Sequence, residues 1–373
     1  MSDLERILAL WREVEARAED YVLATIVAVE GSSYRRPGAC MLLAESGHRA
    51  GAISGGCLEA QVASRARWLT ADGPSIQSYS TREDDGERPY GSGCGGVVHL
   101  LLERQRTADP LLMALNLAHL RRVPLAVATV LEGPRMGWRA FAGLEREGRQ
   151  AAAGSLQELA KQALAARKSM EATIAIEGVC VRAWADFRPA RPGVWVFGAG
   201  DDAQPLVRLA KELDWFVAVA DGRSNLATAA RFPLADAVRV LPTKELKETE
   251  ASLAGMQGGD AAIVMTHSFE QDAAALAALL ALPQPPAYIG VLGPQRRTRE
   301  LLAEAGRLIE LPASSIPAQA ERWLAQLHAP TGLDLGADTP ETIALSVLAE
   351  IQKCLTGATA LPLREVRAAS HKV

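Results

Sequence analysis

A short apolar strand that runs straight into a glycine turn and then a helix constrains this chain more than any other feature. Val194 to Phe197 leads into Gly198-Ala199-Gly200-Asp201-Asp202-Ala203 and on into the amphipathic stretch QPLVRLAKEL. Gly198 permits the tight turn, Gly200 lets a pyrophosphate approach the backbone, and the small Ala203 lets helix and strand pack closely. The unpaired N–H groups at the helix start suit an anion. A second apolar strand, Phe216 to Ala220, ends in Asp221, 21 residues after Gly200, where a ribose-binding carboxylate belongs. Arg223 stands where it would meet a 2′-phosphate and so favour NADP. Asp201 and Asp202 put negative charge where a phosphate approaches, which opposes binding unless they turn away.

The rest of the C-terminal half keeps the strand-helix rhythm of a parallel sheet, with short apolar runs at Ala261 to Met265 and Ala287 to Val291. Ligands of such sheets bind beyond the carboxyl ends of the strands. His267 in Thr266-His267-Ser268 is therefore a candidate acid, base or ligand contact, with a helix cap as the plain alternative. Gly293 closes the next strand. Arg296 and Arg297 follow it, and read more simply as a solvated helix face than as an anion site.

The N-terminal half has a different pattern. Leu4, Ile7, Leu8, Trp11 and Val14 lie at helical spacing, and Tyr21 to Val29 is a buried strand. Further strands are expected at 40–44, 49–53, 76–80, 97–102 and 124–130, and a strand pair around Gly178 at 172–184. A helix is expected to start at Asp109-Pro110, an N-cap with proline at the first position. Strands and helices mix here without strict alternation, which predicts an α+β domain. The expected organisation is an α+β domain over 1–187, a linker at 188–193, a Rossmann-like doubly wound parallel sheet with a C-terminal helix over 194–360, and a tail over 361–373.

Charge and composition exclude several classes. Forty basic against 44 acidic residues leave a net charge of -4, so no bulk positive field draws the chain to nucleic acid. No apolar run reaches the roughly 18 residues needed to cross a bilayer, and Met1 to Asp20 lacks the apolar core of a signal peptide. A cytoplasmic location without membrane contact is the expectation. The five cysteines are odd in number and widely spaced, which does not make a disulfide framework or a structural zinc site.

Two of those cysteines sit in unusual company. Gly55-Gly56-Cys57 and Gly93-Cys94-Gly95-Gly96 each place a thiol among glycines beside a strand. Such loops can form anion-binding nests, and a helix starting at Cys57 would favour its thiolate. The plain alternative is cysteine as a small apolar filler beside tight turns. Cys40, Cys180 and Cys354 lie in apolar strand or helix patterns and are expected in the core.

With these loops the chain resembles the XdhC/CoxI family, accessory factors of molybdenum hydroxylases. The resemblance covers nearly the whole chain: ATIVAVEGSSYRRPGACMLL with GAISGGCLEAQV, then GSGCGGVVHLLLE, VFGAGDDAQPLVRLAKELDW, MTHSFEQD, YIGVLGPQRRTREL and APTGLDLGADTPETIALSVLAEI. Asp201 stands where many of that family carry histidine. The resemblance implies a maturation factor, not an enzyme with its own turnover. Such a factor binds molybdenum cofactor, protects it while its sulfido ligand is installed, and delivers it to an apo-molybdenum hydroxylase. Cys57 and Cys94 become the candidate thiols near molybdenum, since thiolates suit a soft, sulfur-exchanging centre. The glycines of their loops suit the cofactor's phosphate. A cysteine desulfurase as sulfur donor and a homodimer are the expected partners. Two alternatives remain open: an NAD(P)-dependent oxidoreductase using His267, and a structural adaptor with an empty Rossmann site.

Overall fold

The structure is a computed structural model that describes residues 2–56, 58–80, 96–133, 135–144, 154–241 and 253–370. The chain divides into two compact units, Met1–Arg191 and Pro192–Val373.

In the first unit, β1 (Tyr21–Glu30) organises the larger sheet, because both of its faces are buried. Tyr21 and Leu23 point to one side, where α1 (Asp3–Ala16) brings Ile7, Leu8, Trp11 and Val14. Val22, Ala24 and Ile26 point to the other, where α2 (Glu59–Leu69) brings Val62 and Ala66. The period of 2 in the strand thus serves two cores at once. A capping box at Ser2 and Glu5 starts α1. Among the described residues the sheet runs β3-β2-β1-β5-β4, antiparallel throughout, with β2 (Cys40–Ala44), β3 (Arg49–Gly51), β4 (Ser75–Ser80) and β5 (Val97–Arg104).

A second antiparallel sheet runs β7-β6-β9-β8, from β6 (Leu125–Val130), β7 (Arg139–Ala142), β8 (Met170–Ile176) and β9 (Val179–Arg188). Helix α4 (Gly154–Ala166) covers it with Leu156, Leu159, Ala160 and Ala163. The expected helix start at Asp109-Pro110 is corrected: α3 begins five residues earlier and spans Gln105–Arg121, with Pro110 inside it. Asp109 does not cap. Its carboxylate accepts instead from the Trp11 indole and the Tyr21 hydroxyl, tying α3 to α1 and β1. A tertiary role has outweighed the local capping signal.

The second unit is the Rossmann-like domain that the glycine turn implies. Its described sheet is parallel in the order β12-β11-β10-β13-β14, with β10 (Gly193–Phe197), β11 (Phe216–Asp221), β12 (Ala237–Val240), β13 (Ala261–Val264) and β14 (Tyr288–Val291). Val194 and Val196 face α5 (Ala203–Glu212) and α9 (Pro340–Thr356). Trp195 and Phe197 face α6 (Phe269–Ala281), α7 (Gln295–Leu308) and α8 (Ile316–Leu324). Helices on both faces are what make the parallel strands continuous apolar runs. A final helix, α10, spans Leu363–Ser370.

One ion pair lies wholly inside the first unit. Glu103 on β5 and Arg139 on β7 are both essentially inaccessible, and Arg139 also donates to the Thr107 and Gly137 carbonyls. Removing one partner strands a buried charge. Glu103→Ala should therefore lower the unfolding free energy of the full chain by about 3–5 kcal/mol, read from denaturant titration.

Candidate functional site

The end of β10 is shaped by the residues around it. The Gly198 N–H donates to the Ala220 carbonyl at 2.8 Å. Its φ is +136°, and a Cβ there would lie 2.7 Å from the Met265 carbonyl oxygen. Only glycine satisfies both conditions. The N–H groups of Gly200, Asp201 and Asp202 have no acceptor among the described residues, and Asp202 makes no side-chain cap bond to α5. The start of α5, with Ala203 buried at its first position, therefore presents open donors beside the turn.

Two side chains lean over Gly200. A Cβ at that glycine would lie 2.5 Å from Asp202 Oδ1 and 3.6 Å from His267 Nε2. His267, exposed after β13, is thus brought to the turn, as its strand-end position implies. Asp201 is salt-bridged to Arg231, whose Nη2 lies 2.7 Å from Oδ1 and also reaches the Ala199 carbonyl at 3.4 Å. The arginine offsets one of the two negative charges at the turn.

Asp221 is fully buried and surrounded by donors. Oδ2 accepts from the Ala199 N–H and from Arg223 Nη2, each at 2.7 Å. Oδ1 accepts from the Arg223 N–H at 2.8 Å and Nε at 3.0 Å. Burial would raise the Asp221 carboxyl, but these donors outweigh it and hold the group below the usual carboxylate range. A ribose hydroxyl reaches this carboxylate only by displacing one of them. Arg223 is correspondingly committed to Asp221.

Sequence reasoning overlooked Asp272 and Arg231. Asp272 is buried in the first turn of α6 and accepts from the Thr266 N–H at 3.0 Å, the Thr266 hydroxyl at 2.6 Å and Arg297 at 2.6 Å. It fixes the loop that carries His267. The signal for it was the Ser268 N-cap with acidic residues following. Arg231 carried no signal, being 30 residues from Asp201. Arg297 is held by Asp272 and Arg296 by Glu300, so neither guanidinium is an uncommitted anion ligand. Gly293, at φ +112°, lies just before the Pro294 N-cap of α7.

The first glycine loop has an internal frame. Buried Glu59 accepts from the N–H groups of Ile53 at 3.2 Å and Ser54 at 2.8 Å, and from the Ser54 hydroxyl. The Ser54 oxygen in turn accepts from the N–H groups of Gly56 and Leu58, each at 3.1 Å. The Gly56 N–H is therefore spent internally. Among the described residues, nothing lies within 4 Å of where a Cβ on Gly55 or Gly56 would stand. In the second loop, Gly96 packs against the backbone oxygens of Ser32 and Glu30. Cys57, Gly93, Cys94 and Gly95 lie outside the described residues.

Of the remaining cysteines, only Cys40 is buried as expected. Cys180 is exposed on β9, and Cys354 is partly exposed on α9. Apolar neighbours in sequence misled at both positions. Residues 179 and 180 lie at the start of their strand and are both exposed.

Comparison with known proteins agrees with this architecture. The pattern described as the XdhC and CoxI family matches residues 14–80, and that of the XdhC Rossmann domain matches residues 194–351. A Bacillus subtilis protein named as a probable xanthine dehydrogenase subunit is 31% identical over 341 residues, covering 89% of this chain and 92% of that protein. The chain belongs to the XdhC/CoxI family. An Escherichia coli protein named molybdenum cofactor insertion chaperone PaoD is 34% identical over 123 residues, 31% of this chain and 36% of that one. A crystal structure described as a xanthine dehydrogenase from Bacillus halodurans superposes with a TM-score of 0.68 at 26% identity, covering 96% of this chain and 97% of that one.

Two outcomes check the geometry of the turn. Gly198→Ala should destabilise the full chain by about 2 kcal/mol or more, from positive-φ strain and backbone contact, measured by denaturant unfolding. Asp221 is held below its ordinary pKa, so its stabilisation is complete above about pH 4 and is lost as pH falls through the lower folded value. The gap in thermal midpoint between wild type and Asp221→Asn should accordingly narrow on acidification below pH ~4.

Proposed function

We propose that this chain is a maturation factor that carries molybdenum cofactor as cargo to an apo-molybdenum hydroxylase of the xanthine dehydrogenase or carbon monoxide dehydrogenase type. The observation that supports it best is the turn at Gly198–Asp202, where three N–H groups without acceptors among the described residues stand beside an aspartate offset by Arg231. That donor set fits the phosphate or nucleotide tail of the cargo. Asp202 lies over Gly200, so an incoming phosphate takes the place of its carboxylate, which rotates toward solvent. The name of the PaoD relative points to the same cargo.

In this reading Cys57 and Cys94, each among the glycines of its loop, are cofactor or sulfur contacts. Thiolates there exchange readily with a soft sulfur-bearing centre. Protection during sulfuration, a cysteine desulfurase as sulfur donor, a homodimer and a cytoplasmic location complete the proposal. No described helix is long and apolar enough to cross a membrane.

His267 over Gly200 is the one observation that favours an NAD(P)-dependent oxidoreductase instead. The saturation of Asp221 weighs against it, because that carboxylate is the ribose ligand such a site uses. Fluorescence titration with NADH and NADPH separates the two readings.

The direct experiment incubates the full chain with isolated molybdenum cofactor, removes free cofactor by gel filtration, and quantifies retained molybdenum and pterin. Wild type should retain both, and the Cys57→Ala/Cys94→Ala double variant should bind at least about tenfold more weakly, equivalent to ~1.4 kcal/mol. Equal retention by the two proteins would remove the thiols from the account. No retention by wild type would overturn the cargo itself, and the NADH and NADPH titration would then separate an oxidoreductase from an adaptor with an empty Rossmann site.

A further inference from the structure

A second set of reactive side chains lies in the Rossmann unit, apart from the glycine turn. Glu350 on α9 is held by three donors: the Tyr288 hydroxyl at 2.7 Å, the Gly332 N–H at 2.8 Å and the His328 ring nitrogen Nδ1 at 3.1 Å. Burial opposes ionisation of Glu350, but these donors prevail and keep its carboxyl below the usual range. Glu350 is therefore a carboxylate near neutrality, and Nδ1 of His328 must carry the proton it donates. In the neutral ring this leaves the Nε2 lone pair free to accept. Nε2 lies 3.8 Å from the sulfur of Cys354, one helical turn beyond Glu350.

The imidazole is also fixed in orientation. The Tyr288 ring stacks on it with centroids 4.2 Å apart and an interplanar angle of 20°. The His328 N–H donates to the Ile289 carbonyl and its own carbonyl accepts from Val291, each at 2.9 Å, which pins its backbone to β14. Thiol, imidazole and carboxylate thus form a relay in which each group orients the next, the arrangement that activates a nucleophile through a positioned base.

We propose that Cys354 is a nucleophilic thiol, with His328 as its general base and Glu350 as the residue that positions the base, and that it reacts with small disulfides. The Cys354 sulfur attacks one sulfur of R–S–S–R′ while its proton passes to His328 Nε2. The S–S bond breaks, a Cys354–S–S–R bond forms, and the electron pair leaves on R′S⁻, which takes the proton from His328 as R′SH. Cys354 is oxidised to a mixed disulfide and R′ is reduced to a thiol, so the disulfide itself supplies the oxidant.

Burial and the nearby Glu350 charge push the Cys354 thiol up, so it does not rest as a thiolate and depends on the relay. Its partial exposure suits a small reagent over a folded protein. The proposal is independent of cofactor binding at the glycine turn.

The test treats the full chain with glutathione disulfide at neutral pH and follows each cysteine by mass spectrometry. Exposed Cys180 on β9 serves as the internal clock. Cys354 should be glutathionylated about a hundredfold faster than Cys180, and His328→Gln should abolish that advantage, the lower end of the effect a positioned base supplies. Glu350→Gln should do the same while leaving the Cys180 rate and the circular dichroism unchanged. Reaction of wild-type Cys354 no faster than Cys180 would overturn the proposal without recourse to any variant. An undiminished Cys354 rate in His328→Gln would overturn it as well.

Discussion

Ala199 and Arg223 come from different strand ends, and both give their backbone N–H groups to the single carboxylate of Asp221. The bond from Ala199 fixes the glycine turn against the end of β11, and the bonds from Arg223 fix the loop that leaves β11. Because Asp221 is inaccessible, losing a donor cannot be made good by water, and the whole edge of the sheet depends on the set being complete. The open N–H groups of the turn and the position of Asp202 follow from where this carboxylate holds the backbone, while Asp272 brings His267 over Gly200.

The same device recurs around the parallel sheet. Asp272 binds the loop after β13 to α6 and α7, and Glu350 binds the segment between α8 and α9 to α9. At the opposite edge Asp260 accepts from the Gly193 N–H and the Trp195 indole, each at 3.0 Å. Each carboxylate takes bonds from backbone and side chain together, so it couples a loop to the element that packs against it. Buried polar groups of this kind fix a conformation more than they add net stability. A domain that presents ligands from loops needs that kind of constraint.

Much of this fold was legible in the sequence, because burial on both faces leaves unbroken apolar runs and the glycine turn punctuates them. Strand Val194–Phe197, the Ala203 helix and the strands β11, β13 and β14 follow from pattern alone, whereas the short, partly exposed β12 does not. The antiparallel half was read as mixed α+β from its irregular alternation, and its sheets bear that out. What failed to show were pairings between residues far apart in the chain. Asp109 looked like a helix cap because nothing local reveals Trp11 and Tyr21 above it. Asp221 sat at the right spacing for a ribose, yet its saturation by Ala199 and Arg223 is a property of three dimensions. Cys354 sits in a helix with an apolar face, and its neighbour His328 is 26 residues away.

The alternation along β10 carries one more implication. Val194 and Val196 fill a layer with α5 and α9, whereas Trp195 and Phe197 fill the opposite layer. The two layers are apolar alike but differ greatly in the volume they admit at this strand. A shift of the strand by one residue would keep every position hydrophobic and still drive an indole into space shaped for an isopropyl group. The register is therefore written in side-chain size, and it is size matching in the two layers that decides which residue of the chain arrives at the sheet edge as Gly198.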